Sequence, residues 1–411
     1  MTWENTVLGD ISLSIQTGPF GSQLHQSDYS DNGTPVVMPK DLIGGKVVID
    51  SIARVPAIHI ERLCQHKINP NDILYSRRGD VGRCAFATDK EAGWLCGTGC
   101  LRVTIDKNKA NPKFVFYQLQ TSESIGWVEK HAVGSTMLNL NTSILSHVPI
   151  ILPDKKIQDK IADILSAYDD LVENNQKQIK LLEEAAQRLY KEWFVDFRFP
   201  GHETTLIIDG LPEGWKRVKL EQVIEKITTG LNPRKNFILG QGNNYYVTIK
   251  NMHENTIFLD EKCDKIDDDA IQKINSRSDL MQGDILFSGI GTMGRVYLIS
   301  IPTTNWNVSE SVFTMRANKY ITKEYLYMVL LSNDMQDYCD KNAHGVAQRG
   351  IRMADLKAYK LLLPEQNCLE SFTRMLLPLI GKTQSLQSQN RELAESRDRL
   401  LPKLMSGEMK L

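Results

Sequence analysis

The chain lacks any apolar run near the roughly 18–20 residues that cross a bilayer, and its start, Met1-Thr2-Trp3-Glu4-Asn5, lacks the basic and apolar segments of a secretory signal. Both absences point to a cytoplasmic protein. Neither sign of charge is in excess: 49 Lys and Arg face 50 Asp and Glu, which argues against nucleic-acid binding through bulk positive charge alone. Residues 1–153 are balanced in the same way. Any contact with DNA must therefore come from local clusters, from specific base contacts or from a partner. The seven cysteines form an odd set with no C-x-x-C spacing, as expected in a reducing compartment. Cys64, His66, Cys84, Cys96 and Cys100 lie close in sequence, but the second half of the chain has no matching set, which weighs against zinc.

Signatures of catalysis are missing too. An adenine methyltransferase would carry an Asn/Asp-Pro-Pro-aromatic tetrapeptide and a Gly-rich cofactor loop; Asn69-Pro70-Asn71 and Asn232-Pro233-Arg234 do not substitute for the first. Asp260-Glu261-Lys262 resembles the end of a metal-nuclease motif but occurs once, among ordinary surface charges. No Walker loop is present to hold ATP. The expectation is a chain with no catalytic site, no metal and no cofactor of its own.

What the sequence does contain is a second copy of itself. Asp72-Ile73-Leu74-Tyr75-Ser76-Arg77-Arg78-Gly79-Asp80-Val81-Gly82-Arg83 aligns with Asp284-Ile285-Leu286-Phe287-Ser288-Gly289-Ile290-Gly291-Thr292-Met293-Gly294-Arg295, about 212 residues further on. Trp3, Leu8, Thr17 and Gly18 fall on Trp215, Leu220, Thr229 and Gly230. After a one-residue slip, Lys130, Gly134, Leu152 and Pro153 fall on Lys341, Gly345, Leu363 and Pro364. A repeat this long far exceeds the roughly 20–50 residues of a solenoid unit, so each copy has the size of a domain plus a connector.

Within each copy, short β-type runs alternate with Gly, Pro, Asn and Asp. In the first these are Thr34–Pro39, Lys46–Ile49, Asp72–Ser76, Leu101–Ile105 and Val148–Leu152, with a helix near Pro112–Thr121; in the second, Tyr245–Lys250, Asp284–Ser288, Tyr297–Ile301 and Tyr359–Leu363, with a helix near Lys323–Ser332. The expected class is α/β of the α+β kind, rich in strands. After Pro153 the apolar period lengthens to between three and four: Ile157, Ile161, Ile164, Tyr168, Leu171, Asn175, Ile179, Leu182, Ala186, Leu189 and Trp193 form one stripe. Phe372, Met375, Leu379, Leu386, Leu393, Leu400 and Leu404 form the corresponding stripe after Pro364. Some forty residues of helix would be about 60 Å long. Pro378 is expected to kink or interrupt the second. Because each helix starts where one domain ends, helices that pair must be antiparallel, with pseudo-twofold symmetry and a domain at either end of the spacer. The expected division is a first domain over 1–152, a central long helix and linker over 153–208, a second domain over 209–363 and a C-terminal long helix over 364–411. Asn175 fits either a register-setting buried position or a solvated edge.

Gly289-Ile290-Gly291-Thr292-Met293-Gly294 satisfies G-x-G-x-x-G, but its first copy has Arg77 in place of Gly289 while keeping Gly79 and Gly82. That pattern suits two tight backbone positions in a strand–turn–strand better than a phosphate cradle. The candidate DNA readers are polar groups in loops. Ser76, Arg77, Arg78 and Arg83 lie in the densest basic cluster of the first copy, and Arg83 recurs as Arg295. Arginine takes guanine O6/N7 bidentately or clamps phosphate, although a structural salt bridge at the turn explains a shared arginine equally well. Positions that differ between copies, such as Arg77 against Gly289, are better placed to discriminate sequence. Two aligned loops carry different chemistry: Gly134, Ser135, Thr136 and Asn139 in the first, Gln348, Arg349 and Arg352 around Gly345 in the second. Thr229, Asn232, Arg234 and Lys235 form a further basic loop. Ordinary loop polarity is the competing explanation for all of these. On the helices, Leu182, Leu189 and Trp193 align with Leu393, Leu400 and Leu404 as candidates for the spacer seam and for partner docking.

The segment Leu181-Leu182-Glu183-Glu184-Ala185-Ala186-Gln187-Arg188-Leu189-Tyr190-Lys191-Glu192-Trp193-Phe194-Val195-Asp196-Phe197-Arg198-Phe199-Pro200-Gly201, followed by Leu211-Pro212-Glu213-Gly214-Trp215 and by the Asp-Ile-Leu runs of both copies, resembles the specificity subunits of type I restriction-modification systems. The resemblance covers essentially the whole chain. It implies a non-catalytic subunit with two target recognition domains, each reading half of a bipartite double-stranded DNA target. It further implies helices that space the halves and dock two modification subunits, with restriction subunits joining the assembly. S-adenosylmethionine, ATP and Mg would then be carried by those partners. The rival reading is a free-standing architectural DNA-binding protein; a self-contained methyltransferase or nuclease is disfavoured by the missing motifs.

Overall fold

A computed structural model describes residues 3–134, 137–253, 255–346, 348–409 and 411. Two compact units divide the chain: Met1–Glu173 together with Asn390–Leu411, and Asn174–Gln389. No helix among the described residues is long and apolar enough to cross a membrane.

Each unit is built on an antiparallel four-stranded sheet of the same order. In the first it runs Ser12–Thr17, Cys100–Ile105, Ile73–Ser76, Cys84–Phe86, and in the second Ile224–Thr229, Val312–Ala317, Ile285–Ser288, Val296–Leu298. The Ile-Leu-aromatic-Ser run is buried throughout because both faces of its strand are covered. Side chains alternate between two cores: Ile73 and Tyr75 join one, Leu74 the other, and Ile285 and Phe287 separate from Leu286 in the same way. A three-stranded sheet lies beside each: Ala53–Val55, Thr34–Val37, Leu95–Cys96 in the first unit and Asp264–Ile266, Asn244–Val247, Trp306–Val308 in the second. One of its pairings is parallel in each case. A two-stranded ribbon closes each module, Glu4–Val7 with Pro149–Leu152 and Lys216–Lys219 with Lys360–Leu363.

The short helices begin at capping residues that the sequence displays. Asn111 accepts from the N–H groups of Lys113 (2.9 Å) and Phe114 (3.2 Å) ahead of helix Pro112–Leu119. Thr322 caps Lys323–Leu331 through the Tyr325 N–H at 3.2 Å. Among the described residues, six α-helices were not anticipated: the short Ala57–Arg62, Thr142–Ser146 and Met353–Ala358, and the longer Ser122–His131, Asp268–Ser278 and Asn333–Asn342.

The two stripes form helices Lys155–Phe194 and Gln366–Met405, of 40 residues each. The second runs unbroken through Pro378, so the interruption that was one of the expected outcomes does not occur. Pro378 is exposed, so the Arg374 carbonyl that it leaves without an N–H can meet water. On the covered side, Leu369, Phe372 and Leu376 pack into the second unit's core, and that burial offsets the local loss. Within each unit the helical segments are antiparallel. In the first, Ile161, Ala162 and Leu165 share a core with Leu404 and Met405, while Asp169 accepts from Tyr117 Oη and from Arg397 Nη1, both at 2.5 Å. In the second, Trp193 and Phe194 lie against Phe372 with ring centroids 5.7 and 4.7 Å apart. Asn175 is buried. Past Phe194 the chain wraps an aromatic brace on Trp215, stacked on Phe199 at 4.9 Å and edge-on to Phe197 at 5.8 Å.

Candidate nucleic-acid interface

The two glycine-centred loops are closed in the same way. Val133 and Asn139 exchange backbone hydrogen bonds of 3.0 and 2.8 Å, as do His344 and Gly350 at 2.8 and 2.9 Å. Gly134 and Gly345 sit at φ 125° and 97°, and a β-carbon on either would run into a backbone carbonyl across the loop, that of Met137 or of Gln348. Each loop is then tied to the turn that leaves the central strand. Gly79 N–H donates to Leu138 O (3.1 Å) and Leu140 N–H to Arg77 O (2.8 Å); Gly291 N–H donates to Arg349 O (2.7 Å) and Ile351 N–H to Gly289 O (2.8 Å). One frame is thus built twice. It brings together Arg77, Arg78, Gly134 and Asn139 in the first unit, and Gln348 and Arg349 beside Gly289–Gly291 in the second. Ser135 and Thr136 lie outside the described residues.

The side chains on these frames differ in availability. Arg78, Gln348 and Arg352 are exposed, and so is Arg349, whose Nη2 donates to Asp340 O at 2.6 Å. Arg77 is half-buried: its Nε and Nη1 are covered and have no hydrogen-bond partner among the described residues, and its Cζ lies 5.3 Å from the centre of the Phe20 ring. Burial, then the neighbouring charge of Arg78, hold its pKa below the usual arginine range. Asn139 Oδ1 is likewise buried without a partner among the described residues. Ser76 is buried and donates to Arg78 O at 3.1 Å, which makes it part of the turn.

The shared arginine is engaged inside the chain in both copies, by different bonds. Arg83 reaches Asp80 Oδ2 from Nε (3.1 Å) and Nη2 (2.7 Å), whereas Arg295 Nη1 donates to the carbonyls of Ile249 (2.8 Å) and Met252 (2.5 Å). The loop after strand Ile224–Thr229 joins the same end of the second unit's sheet: Gly230 N–H donates to Ser309 O (3.2 Å) and Gly289 N–H to Ser311 O (2.9 Å). Thr229 is buried and held by Arg277, and Asn232 Nδ2 donates to Glu310 Oε1 at 2.7 Å. Arg234 and Lys235 are exposed. Phe20 was not anticipated as part of this region, and neither was the His344–Asp355 pair (3.0 Å) at the base of the second loop.

Gly289–Gly294 leads into strand Val296–Leu298, antiparallel to the strand before it, so no helix N-terminus stands ready for a phosphate. Gly291 and Gly294 take φ of 76° and 83°, and Gly79 takes 76°. Asp260 accepts from the Lys262 N–H at 3.0 Å, within a surface turn. Among the cysteines, burial pushes the thiols of Cys84 and Cys96 up to about 12. Among the described residues no group of three His, Cys, Asp or Glu could hold a metal.

On the helices, Trp193 lies within the second unit's core and Leu404 within the first's, with Leu189 and Leu400 packed against those cores. Leu182 and Leu393 are half-buried. The apolar side chains these helices leave exposed are others: Leu171, Leu181, Met375 and Leu377.

Two modules with one loop frame and unlike polar groups define a duplicated recognition scaffold. The family model described as the type I restriction modification DNA specificity domain matches residues 2–184 and 212–377, and the chain belongs to that family. The type I restriction enzyme MjaIX specificity subunit of Methanocaldococcus jannaschii is 26% identical over 93% of this chain and 88% of its own length. The type I restriction enzyme HindI specificity subunit of Haemophilus influenzae is 24% identical over 99% of both. A crystal structure of a type I restriction-modification S subunit from M. genitalium shares the fold, with a TM-score of 0.59 at 16% identity over 98% of this chain and 96% of that one.

Proposed function

We propose that this chain is the non-catalytic DNA-reading subunit of a type I restriction-modification assembly, each unit reading one half of a bipartite double-stranded target. The duplicated loop frame with divergent side chains carries this reading: a common scaffold holds each reader, and Arg77, Arg78 and Asn139 against Gln348, Arg349 and Arg352 present different donor and acceptor sets to the bases. The long helices separate the half-sites and dock two modification subunits, which bring S-adenosylmethionine; restriction subunits bring ATP and Mg. The near-zero net charge fits binding that is completed by partners.

Domain exchange tests the reading. Residues 1–152 are replaced by the corresponding domain of a relative, the hybrid is expressed with its modification subunit, and methylated adenines are mapped across the genome. The first half-site is expected to change, with the second half-site and approximate spacing retained. A change in both halves together, or in neither, refutes the two-reader arrangement.

A further inference from the structure

We propose that Arg77 is the guanine-reading residue of the first half-site and that Phe20 is its positioning residue; this rests on the reading of each unit as a half-site reader. The backbone at Arg77 is fixed on both sides, its N–H on Gly99 O and its carbonyl on the Leu140 N–H, both at 2.8 Å. The guanidinium nonetheless has two buried donors without a partner among the described residues, and its one close neighbour of note is an aromatic ring that is itself 52% exposed. Two donors of a charged fork that are stripped of water and without an acceptor among the described residues are unfavourable until something supplies one. The Phe20 ring, with its centre 5.3 Å from Cζ, stands beside that fork and bounds the path by which it turns, and arginine's planar fork suits an edge with two coplanar acceptors.

The second unit shows that this pair is an option of the scaffold. Gly289 stands where Arg77 does, and a β-carbon there would run into the Phe313 ring; Leu101 occupies the Phe313 position in the first unit and leaves the space that Arg77 uses. Asn232 stands where Phe20 does, and it is engaged with Glu310. Ring and arginine are therefore present together in one unit and absent together from the other. A phosphate contact carries no sequence information and would serve both units alike. A contact made by one unit alone is what distinguishes one half-site from the other, and the O6/N7 edge of guanine in the major groove is the acceptor pair that arginine takes bidentately. To reach it the side chain turns outward past Phe20, the kind of rotamer change common at interfaces.

The test uses the full chain assembled with its modification subunit, comparing genomic methylation maps for Arg77→Ala, Arg77→Lys, Arg77→Gln, Phe20→Ala and Phe20→Trp. Arg77→Ala is expected to raise methylation of sites carrying another base at one guanine position of the first half-site by about tenfold or more, leaving the second half-site unchanged. Arg77→Lys relaxes the same position, since it keeps the charge but not the fork. Arg77→Gln shifts preference there toward adenine, which keeps the proposal testable should the alanine variant fold poorly. Phe20→Ala relaxes that position less, and Phe20→Trp restores it. An unchanged motif, or a uniform fall at all sites with the motif intact, overturns the proposal. If exchange of residues 1–152 rewrites the first half-site while every Arg77 variant leaves it intact, the assignment of Arg77 fails and the half-site reading stands. If the exchange also leaves it intact, that reading fails as well.

Discussion

Arg83 and Arg295 share a place in the repeat and do different things with it. The first pairs with Asp80 in water, with side chains 39% and 58% exposed, and such pairs contribute about 0–1 kcal/mol. The second ties two carbonyls that are separated from it by more than forty residues of chain, and removing it leaves them without a donor, at a cost of about 1–3 kcal/mol. Urea denaturation of Arg83→Ala and Arg295→Ala is therefore expected to show a small shift for the first and a midpoint clearly lowered for the second. Equal shifts would contradict the assignment of Arg295 as an internal tie. Aligning the two copies was enough to flag both arginines and the Arg77/Gly289 difference. For Arg83 the partner, Asp80, is three residues away; for Arg295 and Arg77 alignment was not enough to say what they engage, because Ile249, Met252 and Phe20 lie far away in sequence and carry no local signal. Gly134 and Gly345 were legible for the opposite reason: a positive φ constrains the residue type at one position whatever surrounds it.

Strands and long helices were legible where the apolar period was strong. The run Ile73–Ser76 and its copy are buried on both faces, and both stripes became helices of 40 residues. Helices Ser122–His131 and Asn333–Asn342 escaped notice because each buries only two residues, Ser124 with Val128 and Met335 with Cys339, too few to set a period. The interruption expected at Pro378 does not occur: proline is costly in a helix in isolation, but here it stands on the exposed side of one anchored by Leu369, Phe372 and Leu376. Apolar positions on the first long helix are of two kinds, one on the stripe and one off it. Trp193 belongs to the second unit's core, so Trp193→Ala should destabilise the protein by about 3–5 kcal/mol. Leu181 is 64% exposed, and Leu181→Asp should change stability by no more than about 0.5 kcal/mol. If the exposed apolar positions dock the modification subunit, Leu181→Asp combined with Leu377→Asp will melt like the parent yet lose co-purification with that subunit. Retained co-purification would place the docking surface elsewhere.

At the scale of the whole chain, the repeat was legible but the way it divides the helices was not. Residues 155–173 of the first long helix belong to the first unit and the remainder to the second; residues 366–389 of the other belong to the second unit and 390–405 to the first. Periodicity cannot reveal such a division, because the stripe runs on across Glu173 and Gln389 without a break in pattern. A proposal about spacing follows from it. If the helices set the gap between half-sites, lengthening one alone would shift its far half against the other helix and disturb the packing of both. Lengthening both at the division should not. Seven residues inserted after Glu173 and seven after Gln389 keep each apolar stripe nearly in phase, about 20° out per heptad, and add about 10 Å to each helix. At roughly 3.4 Å per base pair, the two half-sites should move apart by about three base pairs while their bases stay the same, as read from methylated adenines in the genome. A single insertion should abolish methylation. A paired insertion that methylates fully with the original gap would show that something other than these helices measures the distance.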